Sequence, residues 1–375
     1  MHQKGTDSRT SAPIHDLIAA IPLLAFARSL PAIQDVVKTT ARRLAAADGA
    51  TFVLRDDDQC FYADEDAVAP LWKGRRFPMS ACVSGWAMRH REPAVIEDIY
   101  ADDRVPHDAY RPTFVKSLVM VPIRTADPLG AIGTYWAVPH RATAEEITLL
   151  QGLADSTAVA LENVRVYRAL EEAQLETLQR LALAGEYRDD ATHAHTKRVG
   201  YVVGRLARAI GQSDADATLL SQASLLHDVG KIAVPDAVLL KRGKLTPQEQ
   251  ATMKRHAENG AALLAGSKSP VLILAQEIAL SHHEWWDGSG YPKGLRGEAI
   301  PISGRIVAVA DAFDAITHER PYRPACPVRE AAEEIAAHAG RQFDPFIVDA
   351  LLALDLERLA ALPDQAHPAL PLRDS

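Results

Sequence analysis

Hydrophobic and polar positions follow two different rhythms along this chain, and the change of rhythm divides it. Early on, Ile33, Val36, Val37, Ala41 and Leu44 recur at the three- and four-residue spacing of a helix with one buried face, over residues 33–47. Short apolar runs of strand length follow: Thr51-Phe52-Val53-Leu54, Ala94-Val95-Ile96, 117–123 and 131–136. Turn-rich segments separate them, and a further helix is predicted over 144–167. This order predicts an α+β domain, with helices packed on an antiparallel sheet.

Residues 160–187 then continue as an almost unbroken helical pattern. Leu161, Val164, Tyr167, Leu170, Leu175, Leu178 and Leu181 recur at intervals of three to five, with neither Gly nor Pro before Gly185. Such a helix suits a connector that pairs with its twin in a homodimer, although the heptad is not strict. Beyond residue 188 the rhythm is helical almost throughout, over 198–210, 215–226, 247–264, 271–283, 303–315 and 328–339. An all-α helical bundle is the expectation there. The predicted organisation is a flexible polar tail over 1–17, a first domain over 18–166, a connecting helix over 167–187, a helical domain over 188–362 and a proline-rich tail over 363–375.

Composition narrows the function classes. A net charge of −8 argues against a protein that grips a nucleic-acid polymer by broad phosphate neutralisation, while leaving room for a small anion in a local basic pocket. Cys60, Cys82 and Cys326 are scattered without CxxC spacing, so no disulfide framework is expected and a cytoplasmic setting is the default. The first residues carry no apolar signal region, and no stretch approaches the 18 apolar residues expected of a membrane span.

The candidate chemistry lies in the helical half. His195, His227, Asp228, His256, His282, His283 and Asp311 sit on or at the ends of different predicted helices. The set is imidazole and carboxylate without thiolate, which suits Fe, Mn, Ni or Zn and argues against a structural zinc site. A lone His195 or His256 reads equally as a surface or core histidine. Asp311 is harder to dismiss, because it follows the apolar run Ile306-Val307-Ala308-Val309-Ala310 and an unpaired buried carboxylate is costly. Lys231, next to the His-Asp pair, is a compact cation suited to phosphoryl oxygens.

Two resemblances sharpen this. Ser84-Gly85-Trp86-Ala87, residues 98–104, Val115-Lys116-Ser117-Leu118 and Gly130-Ala131-Ile132-Gly133 resemble a GAF domain over roughly 140 residues. Such domains bind a small molecule or mediate dimers, so an unknown small-molecule ligand is implied. Cys82 reads either as a structural cysteine or as a point of chromophore attachment or redox sensing.

The second resemblance covers about 190–350. It rests on Leu225-Leu226-His227-Asp228-Val229-Gly230-Lys231-Ile232, Lys241-Arg242-Gly243-Lys244, Met253-Lys254-Arg255-His256, His282-His283-Glu284, Trp286-Asp287-Gly288 and Gly290-Tyr291-Pro292. It continues through residues 305–315 and Arg320-Pro321-Tyr322-Arg323. Together these resemble an HD-GYP domain, the phosphodiesterase branch of the HD hydrolases.

The resemblance implies hydrolysis of cyclic di-GMP to pGpG or GMP at iron or manganese. It implies metal ligation by His195, His227, Asp228, His256, His282, His283 and Asp311, and a place for Lys231 at the scissile phosphate. Arg320 and Arg323 match substrate-binding positions, and Asp314 is expected as a partner of the ligands or a proton acceptor. Gly290, Tyr291 and Pro292 are expected to shape a loop. Where three-metal relatives carry Glu, this chain has Ala191, which cannot ligate, so two divalent ions are expected rather than three. Asp189, Asp190 or His193 are the nearby substitutes, and Trp285 stands where a basic residue is common. Alternatives are a hydrolase of another cyclic dinucleotide, or a catalytically weak adaptor that binds a cyclic dinucleotide or a protein.

Overall fold

The computed structural model describes residues 11–186, 195–319 and 325–361. Two compact units divide between Leu170 and Glu171. The first contains α1 (Ser11–Phe26), α2 (Leu30–Leu44), β1 (Gly49–Asp56), β2 (Gln59–Ala67), β3 (Arg76–Pro78), α3 (Val83–His90), β4 (Ala94–Ile96), α4 (His107–Tyr110), β5 (Ser117–Ile123), β6 (Gly130–Trp136) and the first part of α5 (Ala144–Glu186). The strands form one sheet in the order β3-β2-β1-β6-β5-β4, with antiparallel neighbours throughout.

Both faces of this sheet are covered. Val119, Val121 and Ile123 of β5 join one core with Ile33, Val37 and Leu153 from α2 and α5. The intervening Leu118 and Met120 join the other, with Val83 and Met88 of α3 and the ring of Trp72. Side chains alternate across a strand, so coverage on both faces turns β5 and β6 into the uninterrupted apolar runs seen in the sequence. Both are buried at every position.

Two expectations need correction here. The chain is already helical from Ser11, inside the predicted polar tail, because Ala20 and Leu24 of α1 bury against the sheet core and Leu17 packs beside them. Sequence reasoning also missed β2 and β3. The acidic run of β2 reads as a loop until its partners are seen. Asp64 pairs with Lys38 and Lys73, Asp66 pairs with Arg42, and Glu65 accepts the backbone N–H groups of Leu71, Trp72 and Lys73.

The second unit is helical. It takes the end of α5, then α6 (His195–Ala209), α7 (Asp214–Ser224), α8 (Asp236–Leu239), α9 (Pro247–Lys254), α10 (His256–Leu264), α11 (Pro270–Ser281), α12 (Ile302–Thr317), α13 (Val328–Ala337), α14 (Pro345–Leu352) and α15 (Leu356–Ala360). Its core draws Val199 and Val203 from α6, Leu220 from α7, Ile278 from α11 and Ile306, Val309 and Phe313 from α12. The single helix expected over 247–264 is two, interrupted at Arg255. The break starts α10 on His256. No described helix is long and apolar enough to cross a membrane.

Candidate metal centre

The core helices bring their ends together at one point. His195 opens α6, His256 opens α10, His282 and His283 follow the last residue of α11, and Asp311 and Asp314 lie on α12. His227 and Asp228 sit between α7 and a short 3-10 turn, Val229–Ala233. That turn lies tightly against α10. A Cβ at position 230 would stand 1.9 Å from the His256 carbonyl oxygen and 2.4 Å from the Gly260 nitrogen, so Gly230 permits the approach.

Two overlapping groups result. One holds Asp228, His256, His282 and His283, the other His195, His227 and Asp228, and within each the ligand-type atoms lie within 4.8 Å of one another. Asp228 belongs to both. Its Oδ1 lies 3.2 Å from His256 Nε2 and 3.7 Å from His282 Nε2, while its Oδ2 lies 3.4 Å from His227 Nε2 and 2.9 Å from Lys231 Nζ. Asp311 Oδ1 lies beside the second group, 3.4 Å from His195 Nε2.

The imidazoles are aimed from behind. The Nδ1 atoms of His227, His256 and His282 face the backbone carbonyls of Ser224, Met253 and Ile278 at 2.8, 2.8 and 3.0 Å. A neutral ring donating from Nδ1 carries its lone pair on Nε2. Burial favours the neutral form, holding His256 below the usual histidine range and His283 well below it. The Nε2 lone pairs of His256 and His282 therefore face a carboxylate oxygen, and these two nitrogens and Asp228 Oδ1 are buried without a hydrogen bond. Acceptor against acceptor repels. A divalent cation between them removes the conflict, and an all-imidazole and carboxylate donor set fits one. For Asp228, burial would raise the pKa, but the positive charge of Lys231 beside it outweighs burial and holds the carboxylate well below its usual range.

Asp314 sits behind His195. It accepts His195 Nδ1 at 2.6 Å and the Arg198 guanidinium at 2.5 and 3.0 Å, and its Oδ1 lies 3.2 Å from His318 Nδ1. Burial alone would push its pKa up. The hydrogen bonds from His195, His318 and Arg198 prevail and keep it ionised far into acid. Sequence reasoning named Asp314 but missed Arg198 and His318. Arg198 stands one helical turn after His195 and His318 one turn after Asp314, usable signals, but nothing in the sequence links Arg198 to Asp314, 116 positions away.

The Gly290-Tyr291-Pro292 loop closes over His283. The Tyr291 ring stacks on His283 with centroids 4.7 Å apart and an interplanar angle of 28°. Tyr291 donates its backbone N–H to the His283 carbonyl, and buried Glu284 ties the loop down by accepting from the backbone nitrogens of Lys293 and Leu295 at 2.7 and 2.9 Å. A Cβ at position 290 would stand 2.2 Å from the Trp285 nitrogen. Glu284 is a further residue whose role the sequence did not disclose. Arg320, Arg323, Ala191, Asp189, Asp190 and His193 lie outside the described residues.

Known proteins place both units. Residues 27–162 match the GAF domain family and residues 176–347 the HD domain family. The chain is 50% identical over 187 residues to a cyclic di-GMP phosphodiesterase of Thermotoga maritima, covering 50% of this chain and 51% of that protein. It is 51% identical over 183 residues to the cyclic di-GMP phosphodiesterase response regulator RpfG of Xanthomonas campestris, covering 49% and 48%. It is 44% identical over 204 residues to a 3'3'-cGAMP-specific phosphodiesterase of Vibrio cholerae, covering 54% and 39%. The chain thus spans about half the length, or less, of these curated relatives. Similar solved structures include the GAF domain of a phosphoenolpyruvate-protein phosphotransferase from Coxiella burnetii, at 18% identity and a TM-score of 0.39, covering 43% of this chain and 99% of that one.

Proposed function

We propose, from the match of residues 27–162 to the GAF domain family and of residues 176–347 to the HD domain family and from the HD-GYP-like motifs of the second unit, that the chain hydrolyses cyclic di-GMP to pGpG. The observation that carries this reading is the Asp228 carboxylate, whose two oxygens face two different imidazole groups. It supports a centre that would take two divalent ions, with Asp228 belonging to both ligand groups, and the family resemblance makes iron or manganese the expected metal. His227, Asp228, His195 and Asp311 would hold one ion, and Asp228, His256, His282 and His283 the other. Such a pair supplies a water of lowered pKa and neutralises charge on the phosphoryl group.

The chain's own residues do the rest. Lys231 Nζ, 2.9 Å from Asp228 Oδ2, sets a fixed positive charge beside the centre, where a non-bridging phosphoryl oxygen gains negative charge. Asp314 fixes the ring of His195, and its low basicity suits orientation rather than proton abstraction. Tyr291 and Glu284 hold His283 and its loop in place. Arg320 and Arg323 would meet substrate phosphate or guanine.

The GAF unit would regulate this through α5. Exposed Val159, Val166, Tyr167 and Leu170 on α5, with Ile18, Ile21 and Phe26 on α1, support a homodimer formed there. Light scattering giving one chain in solution would contradict the dimer. With scattered cysteines and no described membrane-crossing helix, the reading places the protein in the cytoplasm.

The test is product analysis. Full-length protein loaded anaerobically with Fe(II) or Mn(II) and given cyclic di-GMP should accumulate pGpG on chromatography. Absence of turnover with either metal would overturn the reading. Similarity to the cGAMP-specific enzyme favours including that dinucleotide in the same assay. Faster cleavage of cGAMP would change the substrate while keeping the chemistry.

A further inference from the structure

The sheet unit holds a thiol arrangement that the phosphodiesterase reading leaves unused. Cys60 of β2 and Cys82, the residue before α3, are both buried in the same core, at 0% and 6% exposure. Cys60 pairs across the sheet with Phe77 of β3, and the carbonyl of the next residue, Pro78, accepts from the Cys82 thiol at 3.4 Å. Each thiol is the leading influence on the other's ionisation.

Other groups gather on Cys82. Its sulfur caps α3, accepting the Gly85 N–H at 3.4 Å, and lies 3.3 Å from Ser84 Oγ, which in turn is 3.2 Å from Tyr62 Oη. Donors at a helix N-terminus favour a thiolate over a thiol. We propose that Cys82 is a hydroperoxide-reactive thiol whose oxidation is resolved by Cys60, giving an intramolecular disulfide inside the sheet unit.

The chemistry balances. The Cys82 thiolate attacks one peroxide oxygen, the O–O bond breaks, and the other oxygen leaves as an alcohol or water after taking a proton. Cys82 becomes a sulfenic acid. The Cys60 sulfur then attacks the Cys82 sulfur, water departs, and the S–S bond forms. Two thiols are oxidised by two electrons and one hydroperoxide is reduced.

Electrostatics assigns the order of events. The hydrogen bond from Cys60 lowers Cys82 most, burial opposes it, and Ser84, the Gly85 N–H and Arg89 add to the lowering, leaving its pKa at about 7. Cys60, which donates to that sulfur and is itself buried, is pushed up and stays protonated. One thiol is thus the nucleophile and the other the resolving partner. Pro78, whose carbonyl accepts from the Cys82 thiol, also lines a cleft of about 540 Å³ with Met79, Met88 and Arg89, so the cleft ends one residue contact from the buried sulfur. Cys326, in the helical unit and more exposed, is the internal control.

The experiment treats full-length protein with one equivalent of hydrogen peroxide, alkylates under denaturing conditions and maps the peptides by mass spectrometry. The expected result is a Cys60–Cys82 cross-link with a loss of about 2 Da, while Cys326 remains alkylated. In Cys60→Ser the reaction should stop at a sulfenic acid on Cys82, trapped by dimedone. The pH midpoint of Cys82 alkylation should lie near 7 in the parent protein and shift upward in Cys60→Ala, which has no donor at that position. Cys82→Ser should leave Cys60 unreactive. Alkylation of Cys60 and Cys82 in full after peroxide, oxidation of Cys326 first, or a disulfide between two chains would each overturn the proposal.

Discussion

The two units bury polar side chains in opposite ways. In the sheet unit they pair off: Thr51 with Tyr135 at 2.8 Å, Tyr62 with Ser84 at 3.2 Å, the Trp136 indole with the Ala45 carbonyl at 3.3 Å. The exceptions, His107 Nε2, Tyr110 Oη and Gln151 Oε1, include no carboxylate. In the helical unit the side chains are anchored from behind and face a common point, where His256, His282 and Asp228 leave buried atoms without hydrogen bonds. A satisfied pair is complete as folded, and its worth is about 1 kcal/mol. A cluster of acceptors is complete only with something added. The difference separates scaffold from chemistry without reference to any known protein.

Breaking the cluster should cost most. Asp228→Ala removes the one residue common to both groups. Turnover should fall by on the order of a thousandfold or more, and bound metal, measured by plasma mass spectrometry, should fall with it. Full turnover in this variant would show that the carboxylate is not the shared ligand. Gly230→Ala should come next. The added carbon collides with backbone of α10, and about 3 kcal/mol of stability should be lost, read in calorimetric melting. Gly152→Ala in the sheet unit meets only a Leu17 methyl at 3.3 Å and should melt close to the parent protein.

A finer probe is Asp314→Asn, which keeps shape but removes the charge that aims His195. Metal affinity should drop by about 10–100-fold, followed by titration with Mn(II). Because the folded pKa of Asp314 lies below its unfolded value, its contribution to stability is present above about pH 4 and lost as pH falls through the folded value. The stability gap between Asp314→Asn and the parent should therefore hold steady near neutrality and close in strong acid. A gap that widened in acid would reverse the sign assigned to Asp314. The smallest effect belongs to the paired scaffold: Thr51→Val should cost about 1 kcal/mol and leave metal binding unchanged.

Much of this was legible in the sequence. The residues His195, His227, Asp228, His256, His282, His283 and Asp311 are chemically conspicuous, and β4 and β5 stand where their apolar runs do. What stayed hidden depends on partners distant in the chain. β2 looks like a charged loop until Lys38, Arg42 and Lys73 are placed beside it. Arg198 looks like a surface charge until α6 and α12 bring it to Asp314. The break at Arg255, which starts α10 on His256, is not announced in the sequence because neither Gly nor Pro stands near it.

The most direct measurement is the number of metal ions bound per chain. Protein reconstituted anaerobically with excess Mn(II), freed of loose ions and quantified by plasma mass spectrometry, should hold two ions per chain, and Asp228→Ala should lose both. A parent protein holding none or one, or a variant that keeps two, would contradict a centre built around that shared carboxylate.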